Sequence, residues 1–227
     1  MTTLLDLKTR ARQRADMVDS EFISDAELTS IINQGAMELY DLIVNAYEDY
    51  FTVSQTYTIA NGTNTLTLPA TFYKLRALDF SVNGVWVACR QFNFNDRNRT
   101  QHDTNWFTGY GPLRSYRVMK DSLILQPTQS AGGDYQLWYI PSFTALASNS
   151  DVLPASMSKF GWDEYIVLFA VSRMLSKEES STTDVDNDKA QLSDRIIKMA
   201  SDRQVDQSDT IQDVQRLWRE DKLWYDY

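Results

Sequence analysis

Cysteine and histidine are nearly absent from the chain, which has one of each in 227 residues. The lone Cys89 has no internal partner, so an intramolecular disulfide is excluded. Its setting in an apolar, strand-like run predicts a reduced, buried thiol. A chain of this length can bury a core without covalent staples. The lone His102 excludes a His-rich zinc site or a His-dependent metalloprotease on ligand count, and its loop-like surroundings predict a solvated side chain. Long hydrophobic runs are missing too. No stretch approaches the ~18 apolar residues of a membrane span, and "MTTLLDLKTRARQRADMV" carries charge through its apolar positions, unlike a signal peptide. The sequons at Asn61-Gly62-Thr63 and Asn98-Arg99-Thr100 therefore read as loop residues rather than glycosylation sites. A basic excess is also lacking. With 22 basic against 31 acidic residues the formal charge is −9, opposite to the footprint of a general nucleic-acid binder.

Catalytic motifs are absent as well. There is no G-x-S-x-G elbow, Walker A run, HExxH pair or CxxC, and "GYGP" at Gly109 to Pro112 has neither the spacing nor the setting of a nucleotide-binding loop. In "DVDND", Asp184, Asp186 and Asp188 alternate as in an EF-hand, but Lys189 and Arg195 stand where Gly and a bidentate Glu are needed. An acidic helix start accounts for the run. The neighbouring pairs Glu178-Glu179 and Glu220-Asp221 cannot face each other across a cleft. No enzyme activity, metal or cofactor is expected.

What is present is two kinds of periodicity. Leu4, Leu7, Ala11 and Ala15 fall at helical spacing, predicting a helix from about Thr2 to Val18 with Lys8, Arg10, Arg12 and Arg14 on a solvated face. Ser24 and Glu27 form a capping-box pattern before a second helix whose apolar set is Leu28, Ile31, Ile32, Met37, Leu39, Leu42 and Ile43. From Tyr50 the period becomes two. Three hairpins are expected: Tyr57 and Ile59 with Leu66 and Leu68 about Asn61-Gly62, Leu78 to Val82 with Val85 to Cys89 about Asn83-Gly84, and Leu123 and Leu125 with Tyr135 to Tyr139 about Gly132-Gly133. Together they predict an antiparallel β domain of about six strands. "KFGWDEYIVLFAVSRMLSKEE" is apolar nearly all round and must lie in the middle of a bundle, and a last helix over about Asp184 to Arg203 carries Leu192, Ile196 and Met199.

The fold class expected is thus α+β: an antiparallel helical bundle with an inserted antiparallel β domain, sandwich or barrel, and an extended C-terminal arm. The units are residues 1–50 and 142–205 for the bundle, 51–141 for the insertion with a long loop at 92–115, and 206–227 for the arm. Two aromatic sets stand out. In and around the long loop, Arg90, Arg97, Arg99, Arg114 and Arg117 are interleaved with Phe94, Trp106, Phe107 and Tyr110, a composition used for protein contact, for folding back on the domain, or for stacking on single-stranded nucleic acid; the acidic whole opposes the last. In the arm, Leu217, Trp218, Trp224, Tyr225 and Tyr227 would form a costly patch if exposed, which favours docking on a partner over packing on the chain's own bundle.

The segments "FISDAELTSIINQGAMELYDLI" and "LWYIPSFTALASNSDVLPASMSKFGWDEYIVLFAVSRMLSKEE" resemble the head-to-tail adaptor (connector) proteins of short-tailed bacteriophages. They cover under half the chain, and the likeness lies in hydrophobicity and turn residues rather than in chemical motifs. It implies a virion structural protein of the neck, built in the host cytoplasm as a dodecameric ring under the portal protein. DNA would pass non-specifically through the lumen, the arm would grip the portal, and a tail or nozzle protein would follow. An acidic lumen would repel DNA and let it slide. Two other classes are compatible with the residues: a receptor- or carbohydrate-binding tail component using Trp106, Phe107 and Tyr110, and a glycosidase with carboxylates outside any motif.

Overall fold

The computed structural model describes residues 2–18, 22–97, 114–126 and 132–202. Helices α1 (Leu4–Arg14) and α2 (Asp25–Ala46) come first. Strands β1 (Val53–Ile59), β2 (Thr65–Thr67), β3 (Phe72–Val82), β4 (Val85–Ala88), β5 (Arg90–Gln91), β6 (Ser115–Met119), β7 (Ser122–Gln126) and β8 (Gly133–Pro141) follow, and then helices α3 (Ala155–Ser158), α4 (Asp163–Lys177) and α5 (Thr183–Ser201). The class is α+β. The strands make two four-stranded sheets, in the orders β1-β8-β3-β4 and β2-β7-β6-β5, and among the described residues neither closes into a barrel. Ile59, Leu78, Phe80, Tyr135, Leu137 and Tyr139 of the first sheet share one buried cluster with Leu66, Tyr116, Leu123 and Leu125 of the second. The two sheets therefore face each other across a common core.

Two of the three expected hairpins are not hairpins. The turn at Asn61-Gly62 exists, with Gly62 at φ 85° and Thr63 N–H donating to Ala60 O at 3.2 Å. Yet β1 pairs with β8 along seven residues while β2 pairs with β7, so the turn carries the chain from one sheet to the other. The third pair is separated likewise: β7 lies between β2 and β6, and β8 between β1 and β3. Positive-φ turn chemistry reverses the chain but leaves the choice of partner to core packing. The β3–β4 hairpin is as expected, with Val82 opposite Val85 and with Asn83 and Gly84 at φ 51° and 83°. A further hairpin joins β6 to β7 through Lys120 at φ 54° and Asp121. The described residues hold eight strands rather than about six, because β5 and β6 border the stretch read as loop, and these two pair in parallel.

The helices bury the second core. α4 packs against α1, α2 and α5, and residues all around it, from Tyr165 to Val171 and Met174, are buried. Leu4, Leu7, Ala11 and Ala15 are buried as the spacing of α1 predicts. Met37 and Met199, expected in the apolar sets, are instead 54% and 39% exposed, and Ala36 and Ala200 take the buried positions beside them. Gly35 lets α2 approach α4: a Cβ there would stand 2.9 Å from Phe169 Cδ1.

Helix α1 is shorter than expected and its basic side is not a solvated face. Lys8 is buried and donates to Asn149 Oδ1 at 2.9 Å. Arg10 meets Asp163 and Glu164 at 2.5 Å, Arg12 meets Asp25 at 2.9 Å, and Arg14 pairs with Glu164 and, at 3.0 Å, Asp188. The outer pairs, such as Arg14 with Asp188, are exposed and contribute ~0.2–1 kcal/mol each, while Asp163 is buried and is offset by Arg10; together the pairs orient α1 on the start of α4. The capping box predicted at α2 is only half made: Ser24 Oγ accepts from Glu27 N–H at 3.2 Å, while the Glu27 carboxylate turns to Lys177 Nζ at 2.8 Å. A complete box sits at α1 instead, between Thr3 and Asp6.

The link after β8 is irregular but stitched down. Asn33 exchanges two hydrogen bonds with the Leu146 backbone, at 2.9 and 2.8 Å. Leu4 N–H donates to Asp151 O and Leu153 N–H to Thr2 O, both at 2.9 Å. These bonds satisfy the backbone of a segment that has no regular partner.

Candidate docking surfaces

The arm residues Leu217, Trp218, Trp224, Tyr225 and Tyr227 lie outside the described residues, as do Arg99, Trp106, Phe107 and Tyr110 of the loop and His102. Phe94 and Arg97 are described. A single turn at Phe94–Asp96 presents Phe94 at 44% exposure, and two guanidinium groups stand over its ring, Arg97 at 4.6 Å and Arg117 at 5.7 Å from the centroid. The arginines are themselves held, since Arg97 Nη1 donates to Phe94 O at 3.2 Å and Arg117 Nη1 to Phe92 O at 3.1 Å. Cation–π stacking at an exposed ring contributes ~0.5–1 kcal/mol and fixes its orientation. The start of the loop is thus an ordered aromatic knob on the second sheet.

Arg114 anchors the other end of that stretch. It is 9% exposed, its guanidinium lies 4.2 Å over the Phe80 ring, and Nη2 donates to Gly132 O at 3.3 Å. Its Nε and Nη1 have no hydrogen-bond partner among the described residues. Cys89 lies close by, a free thiol packed against the sandwich core and partly rather than wholly shielded. Burial, and then the charge of Asp79, push its thiol up to about 12, so the group is an inert packing element at neutral pH.

A second surface lies where the helices meet the first sheet. Tyr40, Tyr50, Phe51, Pro141, Phe143 and Pro154 line a hollow of about 420 Å³, with Tyr40 stacked on Phe51 at 4.3 Å between centroids. The Tyr40 hydroxyl donates to Pro141 O, and burial pushes its pKa up to about 12. Polar pairs close the same junction from outside: Tyr73 donates to Asp41 at 3.1 Å, Lys74 meets Glu48 at 2.5 Å, and Arg76 bridges Glu48 and, at 2.7 Å, Asp49. Hydrogen bonding from Lys74, then the Arg76 charge, holds the Glu48 carboxyl below its ordinary 4.5. None of these partners is close in sequence, so periodicity carried no signal for the junction.

The acidic run behaves as a helix start. Asp186 accepts from Ser172 Oγ at 2.7 Å, which lowers its pKa, while Asp188 turns to Arg14. The carboxylates diverge, and among the described residues no three metal-ligating side chains converge. No described helix is long and apolar enough to cross a membrane.

Comparison with protein families matches the SU10 adaptor protein family over residues 2–217, nearly the whole chain. The chain belongs to that family. Membership indicates a phage adaptor protein, a virion component that interacts with other head and tail components. A search of curated proteins finds no match. The family match spans the helices, both sheets and the loop, and stops before Trp218, Trp224, Tyr225 and Tyr227.

Proposed function

We propose that this protein is a non-enzymatic head-to-tail adaptor that forms a dodecameric ring at the virion neck, between the portal protein and the tail or nozzle protein, with DNA passing through its lumen. Assembly takes place in the host cytoplasm. The observation that carries the reading is the adaptor-family match across residues 2–217. The division of labour follows the expected units: the helices of 1–50 and 142–205 form an antiparallel bundle that is the body of the ring, 51–141 is the insertion whose loop at 92–115 meets the neighbour or the tail, and 206–227 is the portal-docking arm.

In the arm, Leu217, Trp218, Trp224, Tyr225 and Tyr227 supply apolar area and aromatic anchors of the kind that dominate interfaces, while Arg216, Arg219 and Lys222 alternate with acids to set register. A segment ordered on its partner gives up conformational entropy on binding, which large rigid aromatics offset with few rotatable bonds. In the loop, Phe94, Arg97, Arg99, Trp106, Phe107 and Tyr110 are the residues assigned to contact with the neighbour or the tail. The alternation of α1 cations with acids of other helices leaves the net charge of −9 without a free basic stripe on α1, which suits a channel that releases DNA.

The test is truncation. A form ending at Ser208 keeps every described residue and should fold as the full chain does, by circular dichroism and thermal midpoint, yet fail to co-sediment with the portal protein. Equal binding by the two forms would reject the arm as the docking element.

A further inference from the structure

The edges of the two sheets differ. The second sheet ends in β2 and β5, of three and two residues, lengths too short to template another chain. The first sheet ends in β1, of seven residues, and β4, of four. Their sequences, VSQTYTI and VWVA, contain no charged residue, proline or glycine. The β1–β8 register runs without a bulge. Soluble sheets ordinarily protect such edges with charge, proline, bulges or a covering element, and here none of these devices is used among the described residues. Beyond the pairing of β1 with β8 and of β4 with β3, no backbone hydrogen bond of β1 or β4 is made among those residues.

Apolar side chains at both edges are left uncovered. Val53 lies opposite Tyr139 and Val85 opposite Val82, so both are on the face of the sheet that packs on the sandwich core. They are nevertheless 42% and 64% exposed, since among the described residues no strand lies beyond them, and Trp86 on the other face is 43% exposed. A strand added at either edge would cover them.

Strand polarity selects the partner. All three pairings in this sheet are antiparallel, so β1 and β4 run in opposite directions. A second copy in the same orientation, set beyond β4, therefore offers its β1 antiparallel to β4, and the alternation continues unbroken from one copy to the next. Two different surfaces that fit each other head to tail are what a closed ring requires, whereas a two-fold β1–β1 contact would leave β4 bare. We propose that the outer rim of β1 in one copy pairs antiparallel with the outer rim of β4 in the next copy of this chain, joining neighbours through main-chain hydrogen bonds. This inference rests on the ring reading above.

Disulfide trapping tests it in the full-length chain assembled with the portal protein, with Cys89→Ser removing the native thiol. Ser54→Cys, Thr56→Cys and Thr58→Cys sample the solvent face of β1, and Trp86→Cys and Ala88→Cys that of β4; directly opposed residues at a non-hydrogen-bonded site bring Cβ atoms to about 4.5 Å or less, within the span of a disulfide, and testing several positions samples such a site. The expected result is that one β1 variant and one β4 variant, mixed and oxidised, give a covalent dimer several-fold above either oxidised alone, and that the doubly substituted chain gives a ladder of oligomers. Cross-linking of a β1 variant with itself would overturn the proposal in favour of a two-fold contact. Rings of normal sedimentation with no cross-link in any combination would overturn the edge pairing and leave the ring standing. Absence of rings in the unsubstituted protein would remove both readings.

Discussion

Replacing Gly35 with alanine sets two known effects against each other at the closest approach of α2 to α4. In an isolated helix the change is favourable by about 1 kcal/mol, because glycine is the costlier residue to order. In this position the new Cβ would lie 2.9, 3.1 and 3.2 Å from Cδ1, Cγ and Cβ of Phe169. Carbon atoms pack at about 3.5–4.0 Å, so the methyl overlaps three atoms, and the last of them moves only with the α4 backbone. Overpacking of a dense interior costs ~1–3 kcal/mol, which outweighs the propensity gain and leaves a net loss of about 1 kcal/mol. Phe169→Ala reverses the sign. With the ring gone a single tight contact remains, at the Cβ, and Gly35→Ala in that background should be neutral or stabilising by up to about 1 kcal/mol. The coupling in the double-mutant cycle is then ~1–2 kcal/mol, within the range for touching residues. Urea unfolding followed by far-ultraviolet circular dichroism, with an unchanged denaturant slope, measures all four corners. If Gly35→Ala stabilises the native protein by about 1 kcal/mol and adds to Phe169→Ala without coupling, the helix contact and the packing argument are both wrong.

Three further outcomes are expected. Ser24→Ala should cost about 1 kcal/mol as a lost N-cap, while Glu27→Gln should cost only a few tenths and nothing once Lys177 is Met, since the carboxylate serves an exposed ion pair and not the cap; equal losses would restore the reciprocal box. The Glu48 carboxyl has a folded pKa below its ordinary 4.5, so its stabilising effect is present above that value and is lost as pH falls through the folded one. Thermal midpoints of the native protein and Glu48→Gln should therefore differ at neutral pH and converge in acid, and a gap that persists in acid would show that the charge of Glu48 is not what matters. Cys89, its thiol pushed up to about 12, should react with iodoacetamide at pH 8 far more slowly in the folded protein than in denaturant; similar rates would contradict its packed, inert setting.

Local pattern made some features legible and long-range packing decided others. The burial of Leu4, Leu7, Ala11 and Ala15, and of α4 on all sides, follows from helical spacing alone, since a face without charge has to be covered. Turns at Asn61-Gly62 and Asn83-Gly84 are equally local, because both need positive φ. Which strand meets which is not. The same Asn-Gly pair closes a hairpin at β3–β4, where both residues are at positive φ, and crosses between sheets at β1–β2, where only Gly62 is and the seven-residue match with β8 outcompetes a neighbour of three residues. The basic side of α1 reads as a solvated face in sequence because its acids arrive from Asp163, Glu164 and Asp188, some 150 residues or more along the chain. Strand β6 was hidden by the polar stretch before it, although Tyr116 and Val118 alternate with polar residues. Of the candidate site, Phe94 and Arg97 could be found from composition, but the stacking of Arg117 on the same ring depends on β6 lying beside Phe92.

The ring is the centre of the account, and the mass of the assembly tests it most directly. Sedimentation velocity of the full-length chain, alone and mixed with the portal protein, should show that the mixture contains a complex carrying about a dozen copies of the 26.2 kDa chain for each portal ring. A mixture in which the chain sediments as a free monomer, with the portal unshifted, would contradict the adaptor ring and return the protein to another place in the virion.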